Sequence, residues 1–400
     1  MSSFSSRNPG FYKRLWTLSL PVILQNLITF SLGLIDTFMV SQLGNKEMAA
    51  VTTANVPVFL LISIVFGVQS GLGILVSQYW GKGDTRSINR AIGVAAFIGT
   101  GITVVLAVVF FLFPVQVMDL LSNSHELSLL GAPYLRVIGF SYVFNMLSSI
   151  YVSAQRSVEN ASFGMKLFGM STVLNTGMNY LLIFGKLGLP ALGVRGAAIA
   201  TVIATFCGLA GHVTYAFVTR QPFLGFAGEL FRWPSTFLRP IFRRMIPMAG
   251  NEIVFGLGDA MYLKAFGMLG TAMLEAYQVA YKIGMVPHTI ADGMGSASGI
   301  LLGEHLGRGE SEKARSIIRY LFPLAIGLSV VVSAVMILIA RPVVSIFALP
   351  DSSVDVAVLM VRLFNIRIAT RMFNAVLLSA IRAGGDTKFL LFMDSGLVWL

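Results

Sequence analysis

The chain has 400 residues, of which 56% are hydrophobic and only 12% charged, with a mean hydropathy of +0.78. A water-soluble domain carries roughly 25% charged residues, so this composition excludes a soluble enzyme or binding module and indicates a membrane protein. The net charge of +11 would suggest a nucleic-acid binder in a soluble chain, but here the basic residues sit in short loops and form no basic domain interleaved with aromatics.

Apolar periodicity predicts helices over about 14–42, 49–79, 91–113, 127–155, 161–185 and 190–218. A second set follows over about 239–269, 275–303, 317–340, 353–382 and from 387 onward. Long apolar segments of this kind are what spanning helices require, and ten-residue alternating strands are lacking, which argues against an outer-membrane barrel. Met1–Gly10 is short and polar, and the helix after it is too long for a cleaved signal peptide. The single cysteine, Cys207, lies in an apolar stretch, so no intrachain disulfide forms and no metal site is suggested. Pro57 and Pro287 are expected to bend their helices, and Gly67-x-x-x-Gly71 reads as close helix packing.

The chain then repeats itself at an offset of 226 residues, the separation of Pro21 from Pro247. Gly81-Lys-Gly-Asp84 matches Gly307-Arg-Gly-Glu310, Arg136 matches Arg362, and Ser153-Ala-Gln-Arg156 matches Ser379-Ala-Ile-Arg382. A repeat of this length in an apolar chain predicts two homologous helix bundles enclosing a path. The expected domains are an N-lobe over 1–218, a linker over 219–238 and a C-lobe over 239–400. Carrying the repeat to its end predicts a twelfth helix beyond Leu400, after the apolar run that closes on Trp399-Leu400.

Loop charge sets the expected orientation. Lys13, Arg14, Lys82, Arg86, Arg220, Arg243, Arg308 and Lys388 fall on one side. Lys46, Lys186 and Arg341, diluted by Glu47, Asp119, Glu126, Asp351 and Asp355, fall on the other. The basic side is expected to be cytoplasmic, with the N-terminus inside. Both halves begin on that side, which makes them parallel repeats.

Asp36 is the sharpest chemical signal. A carboxylate inside a spanning helix costs about 2.5–3.5 kcal/mol on insertion scales unless it is paired, hydrated or protonated. Gln25, Thr29 and Asp36 share one stripe of the first helix. Asn175 and Asn179 are four apart and share a face; facing Asp36 they would complete a cation site or tune it, and otherwise they would join helices. The second half has a different polar set: Glu252 and Asp259, Gln278 and Lys282, Arg367 and Arg371. Buried charges of both signs should pair, either as a structural network or as a substrate or coupling site. His212, His288 and His305 show no metal-ligand spacing, and no nucleophile–base constellation is visible, so no enzymatic activity is expected.

Taken together, several motifs resemble the multidrug and toxic compound extrusion (MATE) family. These are Leu20-Pro21 with Asp36, Gly81-Lys-Gly-Asp84, Asn175-x-x-x-Asn179 with Leu182-Ile-Phe-Gly185, Gly193-x-x-Gly196-Ala-Ala-Ile-Ala200, Gly270-Thr with Tyr277-Gln278, and Ile381-Arg-Ala-Gly-Gly-Asp-Thr-Lys388. The resemblance implies an all-α integral membrane fold of two pseudo-symmetric six-helix lobes forming a V around a central cavity. It implies export of small organic compounds from the cell membrane in exchange for H⁺ or Na⁺, by a chain expected to act as a monomer with no further cofactor. Asp36 would be the coupling carboxylate, with Asn175 and Asn179 beside it, and Glu252 matches an acidic position of the family. The stretch Arg367-Ile-Ala-Thr-Arg371 is basic where some members are acidic. That departure makes an anionic substrate, or a lipid-linked flippase of the same superfamily, the alternative reading.

Overall fold

The computed structural model describes residues 9–122, 124–219, 227–347 and 349–395. Met1–Asn8, residues 220–226 of the linker, and Trp399-Leu400 lie outside the described residues. The helices are α1 (Pro9–Ser41), α2 (Asn45–Ala54), α3 (Val56–Lys82), α4 (Thr85–Leu112), α5 (Pro114–Leu121), α6 (His125–Ser157), α7 (Ala161–Phe184) and α8 (Gly193–Val218). They continue as α9 (Ser235–Met268), α10 (Thr271–Gly307), α11 (Ser311–Leu338), α12 (Ala340–Val344), α13 (Asp351–Gly384) and α14 (Thr387–Leu390). Among the described residues there is no strand. Six of these helices are long and apolar enough to cross a membrane.

The 226-residue offset holds in the backbone as well as in the sequence. Thr85–Leu112 maps onto Ser311–Leu338, and the short α5 maps onto the short α12. Gly83 and Gly309, one offset apart, both adopt positive φ, 72° and 76°. Only glycine enters that left-handed region without strain, which explains the glycine at the third position of both loop motifs. Asp84 then caps α4, accepting from Ser87 N at 3.0 Å. Glu310 stands at the equivalent position, where Lys313 and then His305 hold its carboxyl down to about 2. A depressed carboxylate contributes above its ordinary titration range and is lost as pH falls through the folded value. The loop contacts of Glu310 therefore persist throughout the neutral and mildly acidic range.

Two details differ from the sequence reading. The helix predicted over 49–79 is two helices that meet at Asn55. Pro57 has no amide proton for the Thr53 carbonyl and restricts the residue before it, so the chain breaks there rather than bending. Pro287, by contrast, lies within an uninterrupted α10.

The chain forms two compact units. One comprises residues 24–76 and 84–252, and the other residues 1–23, 77–83 and 253–400. These units exchange helix ends relative to the repeat halves, because the first turns of α1 belong with the second half and the first turns of α9 with the first half. In the first unit, α9 crosses α3 at Gly67 and Gly71, and a methyl on Gly67 would collide with the backbone of Ala249. In the second unit, α1 crosses α10 at Gly293, where a methyl would collide with Ile23. Gly67 and Gly293, like Ile23 and Ala249, are one offset apart, so the same crossing is built twice. The Gly67-x-x-x-Gly71 reading as close packing holds.

The second unit has a further close approach. Gly81 lies against the backbone of Glu304, and Gly307 against that of Gln78; these pairs are again one offset apart. Glu304 is only 2% exposed and binds Arg14 and, at 2.5 Å, Arg308. Gln78 donates to the Ala383 carbonyl at 2.8 Å. Phe11, Leu15 and Leu18 pack with Met294, Leu301, Leu321 and Met372 beside this knot. Converting Glu304 to glutamine should cost about 1.5–3 kcal/mol, the worth of hydrogen bonds to a charged group. A thermal-unfolding midpoint in detergent measures this, and an unchanged midpoint would show the arginines are indifferent to that charge.

Candidate functional site

In the first unit, α1 carries Asp36 against the face of α7. Asn179 Nδ2 donates to Asp36 Oδ1 at 2.6 Å. With its amide turned so that nitrogen faces the carboxylate, Asn175 also donates to Asp36 Oδ1, at 2.9 Å, and its oxygen accepts from Thr201 Oγ1 at 3.2 Å. That orientation satisfies both ends of the amide, which is how such groups are assigned. Asn175 and Asn179 are each 1% exposed. Helical spacing places them one turn apart on α7, so one carboxylate oxygen takes two amide protons. Among the described residues, Asn179 Oδ1 has no hydrogen-bond partner. Tyr134 lies near enough to feel the charge of Asp36, and its hydroxyl donates to Asn55 Oδ1 at 3.2 Å. The break between α2 and α3 thus places a polar side chain beside this site.

Gln25 lies deeper on α1 and is buried, but its partner is Arg156, whose Nη2 donates to Gln25 Oε1 at 3.2 Å. Thr29 caps its own helix turn, donating to the Gln25 carbonyl at 3.0 Å. The stripe of α1 therefore divides into an acid–amide cluster toward its C-terminal end and a glutamine–arginine contact toward its N-terminal end. Glu252 belongs to this same unit and is half-buried.

The second unit draws its polar network differently from the sequence reading. Arg371 pairs with Asp292, at 3.3 Å, and its Nη2 lies 2.8 Å from His288 Nε2. His288 Nδ1 in turn lies 3.1 Å from Asp292 Oδ2. The acid that answers Arg371 is thus Asp292, rather than Glu252 or Asp259. Sequence reasoning passed over Asp292 and gave His288 no role, although their spacing of four on one helix was the available signal. Asp259 accepts a long hydrogen bond, 3.4 Å, from the Tyr281 hydroxyl. Arg367 sits 6.0 Å from the ring of Phe364. Gln278 and Lys282 are exposed on α10. Neither joins the Asp292 network among the described residues. Those residues contain no group of three or more His, Cys, Asp or Glu side chains placed to hold a metal.

Comparison with known proteins agrees with this architecture. The chain is 24% identical over 387 residues to the Thermotoga maritima protein named "Probable multidrug resistance protein NorM", covering 95% of this chain and 81% of that one. It is 23% identical to "Uncharacterized transporter YisQ" of Bacillus subtilis, covering 96% and 84%. The Vibrio cholerae MATE transporter VcmN in its bent form superposes with a TM-score of 0.85 at 20% identity, covering 96% of this chain and 86% of that one. A MOP superfamily transporter from Pyrococcus furiosus, described as having a binding pocket of reverse polarity that suggests a different function, superposes with a TM-score of 0.86 at 18% identity over 97% and 87%. The MatE family model matches residues 21–181 and 247–395, two blocks that begin one repeat offset apart. The chain is a multi-pass membrane protein, and it belongs to the MATE family of transporters.

Proposed function

We propose that the chain is a secondary active exporter of small organic compounds, working by alternating access and driven by antiport of H⁺ or Na⁺. The observation that carries this reading is the Asp36 carboxylate, set within α1 and held by two amide donors of α7. Proton binding would cancel the charge those amides answer and so loosen the tie between α1 and α7. Sodium would require an amide oxygen to turn toward it, and Asn179 Oδ1, which lacks a partner among the described residues, supports that alternative. Either ion acts only through its different affinity for two conformations, and substrate must prefer the opposite occupancy. Asp36, Asn175 and Asn179 are the coupling residues of this reading. It places the chain in the cell membrane as a monomer with a cytoplasmic N-terminus, requires no cofactor beyond the coupling ion and includes no catalysis.

The test is efflux of the organic cation ethidium from vesicles containing the protein, under a pH gradient or a Na⁺ gradient imposed separately. Export driven by one gradient supports the proposal and selects its ion. Export indifferent to both gradients overturns antiport. A second reading, export of anionic compounds, is favoured by Arg367 and Lys282, which have no acidic partner among the described residues. Replacing ethidium by an organic anion in the same vesicles distinguishes it.

A further inference from the structure

The core of the first unit holds a small cavity between α6, α7 and α8, and its lining is largely polar. Its volume is about 20 Å³, above the roughly 10–15 Å³ that one water needs. Asn145 and Ser148 line it from α6, Ser171 from α7, and Thr205 and His212 from α8. Ser148 is 6% exposed and His212 2%. Among the described residues, Ser148 Oγ and His212 Nδ1 have no hydrogen-bond partner. A buried polar atom left without one costs about 1–3 kcal/mol. Two such atoms on the walls of one cavity are what an enclosed water satisfies.

The cavity lies on a polar track that leads away from it in both directions. Ser171, Asn175 and Asn179 keep to one face of α7, and Thr201, Thr205 and His212 to one face of α8. One end of the track is the Asp36 site, where Asn175 joins Asp36 to Thr201. Thr205 follows one turn along α8, its hydroxyl donating to the Thr201 carbonyl at 2.8 Å. Past the cavity, the His212 ring lies 5.7 Å from that of Tyr151, whose hydroxyl accepts from Gln155 Nε2 at 2.7 Å. Gln155 Oε1 accepts from Asn160 at 3.1 Å. Asn160 caps α7 in the turn where α6 ends, so the track reaches a membrane face without leaving one unit. His212 is faced by Tyr151 from α6 and by the rings of Phe163 and Phe168 from α7. Tyr215, on its own helix, stacks on Phe163. Of the nearby cations, Arg156 of α6 is turned to Gln25 and Lys166 of α7 is exposed. Phenylalanine would serve an aromatic cluster equally well; imidazole differs in carrying a proton on either nitrogen, with an ordinary pKa of about 6.5.

We propose that His212, with a water held in the cavity, is a proton relay between Asp36 and the turn joining α6 to α7. A proton enters at one ring nitrogen and another leaves from the second nitrogen to the cavity water, which the hydroxyls of Ser148 and Thr205 orient. Water then carries it past Thr201 to the Asp36 carboxylate, which becomes the neutral acid. The ring returns to its starting tautomer by turning over, so one proton arrives for each that departs. This inference rests on the H⁺ branch of the antiport reading for its purpose. A relay sets how fast Asp36 exchanges its proton and leaves the equilibrium of that exchange unchanged.

The test times the protonation of Asp36 itself, on the purified full chain in detergent with neither substrate nor gradient. A light flash releases a caged proton, and the infrared band of the protonated carboxyl is followed; its loss in Asp36→Asn assigns it. The expected result is that His212→Ala slows the rise of the band by about a hundredfold, the lower end of what a positioned proton-transfer group contributes. Its final size should not change. Imidazole added to the buffer should restore much of the lost rate, which a merely structural defect would not allow. Ser148→Val, which fills the cavity, should slow the rise as well, without rescue by imidazole. An unslowed rise in His212→Ala, a slowed one that imidazole leaves untouched, or the lack of an Asp36 band in the unaltered chain overturns the proposal. If His212→Ala fails to fold, Ser148→Val decides, and an unslowed rise there overturns it. A chain whose rise depends on His212 but which drives no ethidium efflux under a pH gradient refutes the export reading and not the relay.

Discussion

Replacing Asp36 with asparagine will abolish gradient-driven efflux and leave the protein folded. The side chain keeps its shape and still offers an oxygen to Asn175 and Asn179, whose amide nitrogens lie 2.9 and 2.6 Å from Asp36 Oδ1. What disappears is the charge that a proton or Na⁺ can neutralise. Without it, the coupling ion has no differential affinity for the two conformations, and no differential affinity means no coupling. The dependence of substrate affinity on pH or Na⁺ should flatten by the full coupling free energy, about 1–3 kcal/mol or roughly 5–150-fold. Substrate binding measured across pH and Na⁺ concentration checks the magnitude, and a thermal midpoint near that of the unaltered protein checks the fold. Undiminished, gradient-dependent export by the variant would remove Asp36 from its proposed role.

A leucine in place of Gly81 should destabilise the protein by about 3 kcal/mol, at or above the upper end of the usual cost of overpacking. A Cβ at Gly81 would meet the backbone of Glu304, and backbone cannot step aside as a side-chain tip can. Gly307→Leu should behave alike, because Gly307 meets Gln78 in the equivalent way. The control is Gly327→Ala on α11, where nothing lies within 4 Å of the added methyl. There alanine should gain about 0.5–1 kcal/mol from its lower backbone entropy cost in a helix. Thermal unfolding of the three variants separates the cases. Equal midpoints for Gly81→Leu and Gly327→Ala would mean that the crossing of α3 and α10 is loose.

The long helices and their repeat were legible because spanning segments must satisfy their own backbone and therefore announce themselves as long apolar runs. Asp36 was legible for the complementary reason, as a charge where charge is expensive. The short helices α5 and α12 were less visible, because eight and five residues give no sustained periodicity. The partner of Arg371 was not legible because partners on different helices carry no fixed spacing in sequence. Glu252 and Asp259 were the prominent acids of the second half, while Asp292 sat unnoticed in a run of small residues. Asn55 meets Tyr134 at the break before Pro57, and Thr201 joins the site through the packing of α8 on α7.

The exchanged helix ends bear on how the protein is made. Residues 9–23 leave the ribosome well before α10 and α13, yet Ile23 packs on Gly293, and Leu15 and Leu18 pack with Met294 and Met372. That stretch of α1 must wait in the bilayer, with its final neighbours unsynthesised, until α10 and α13 arrive. The first turns of α9 complete the earlier unit in return, with Ala249 seated on Gly67. Neither repeat is therefore a self-sufficient folding module. The two repeats are finished only in each other's company.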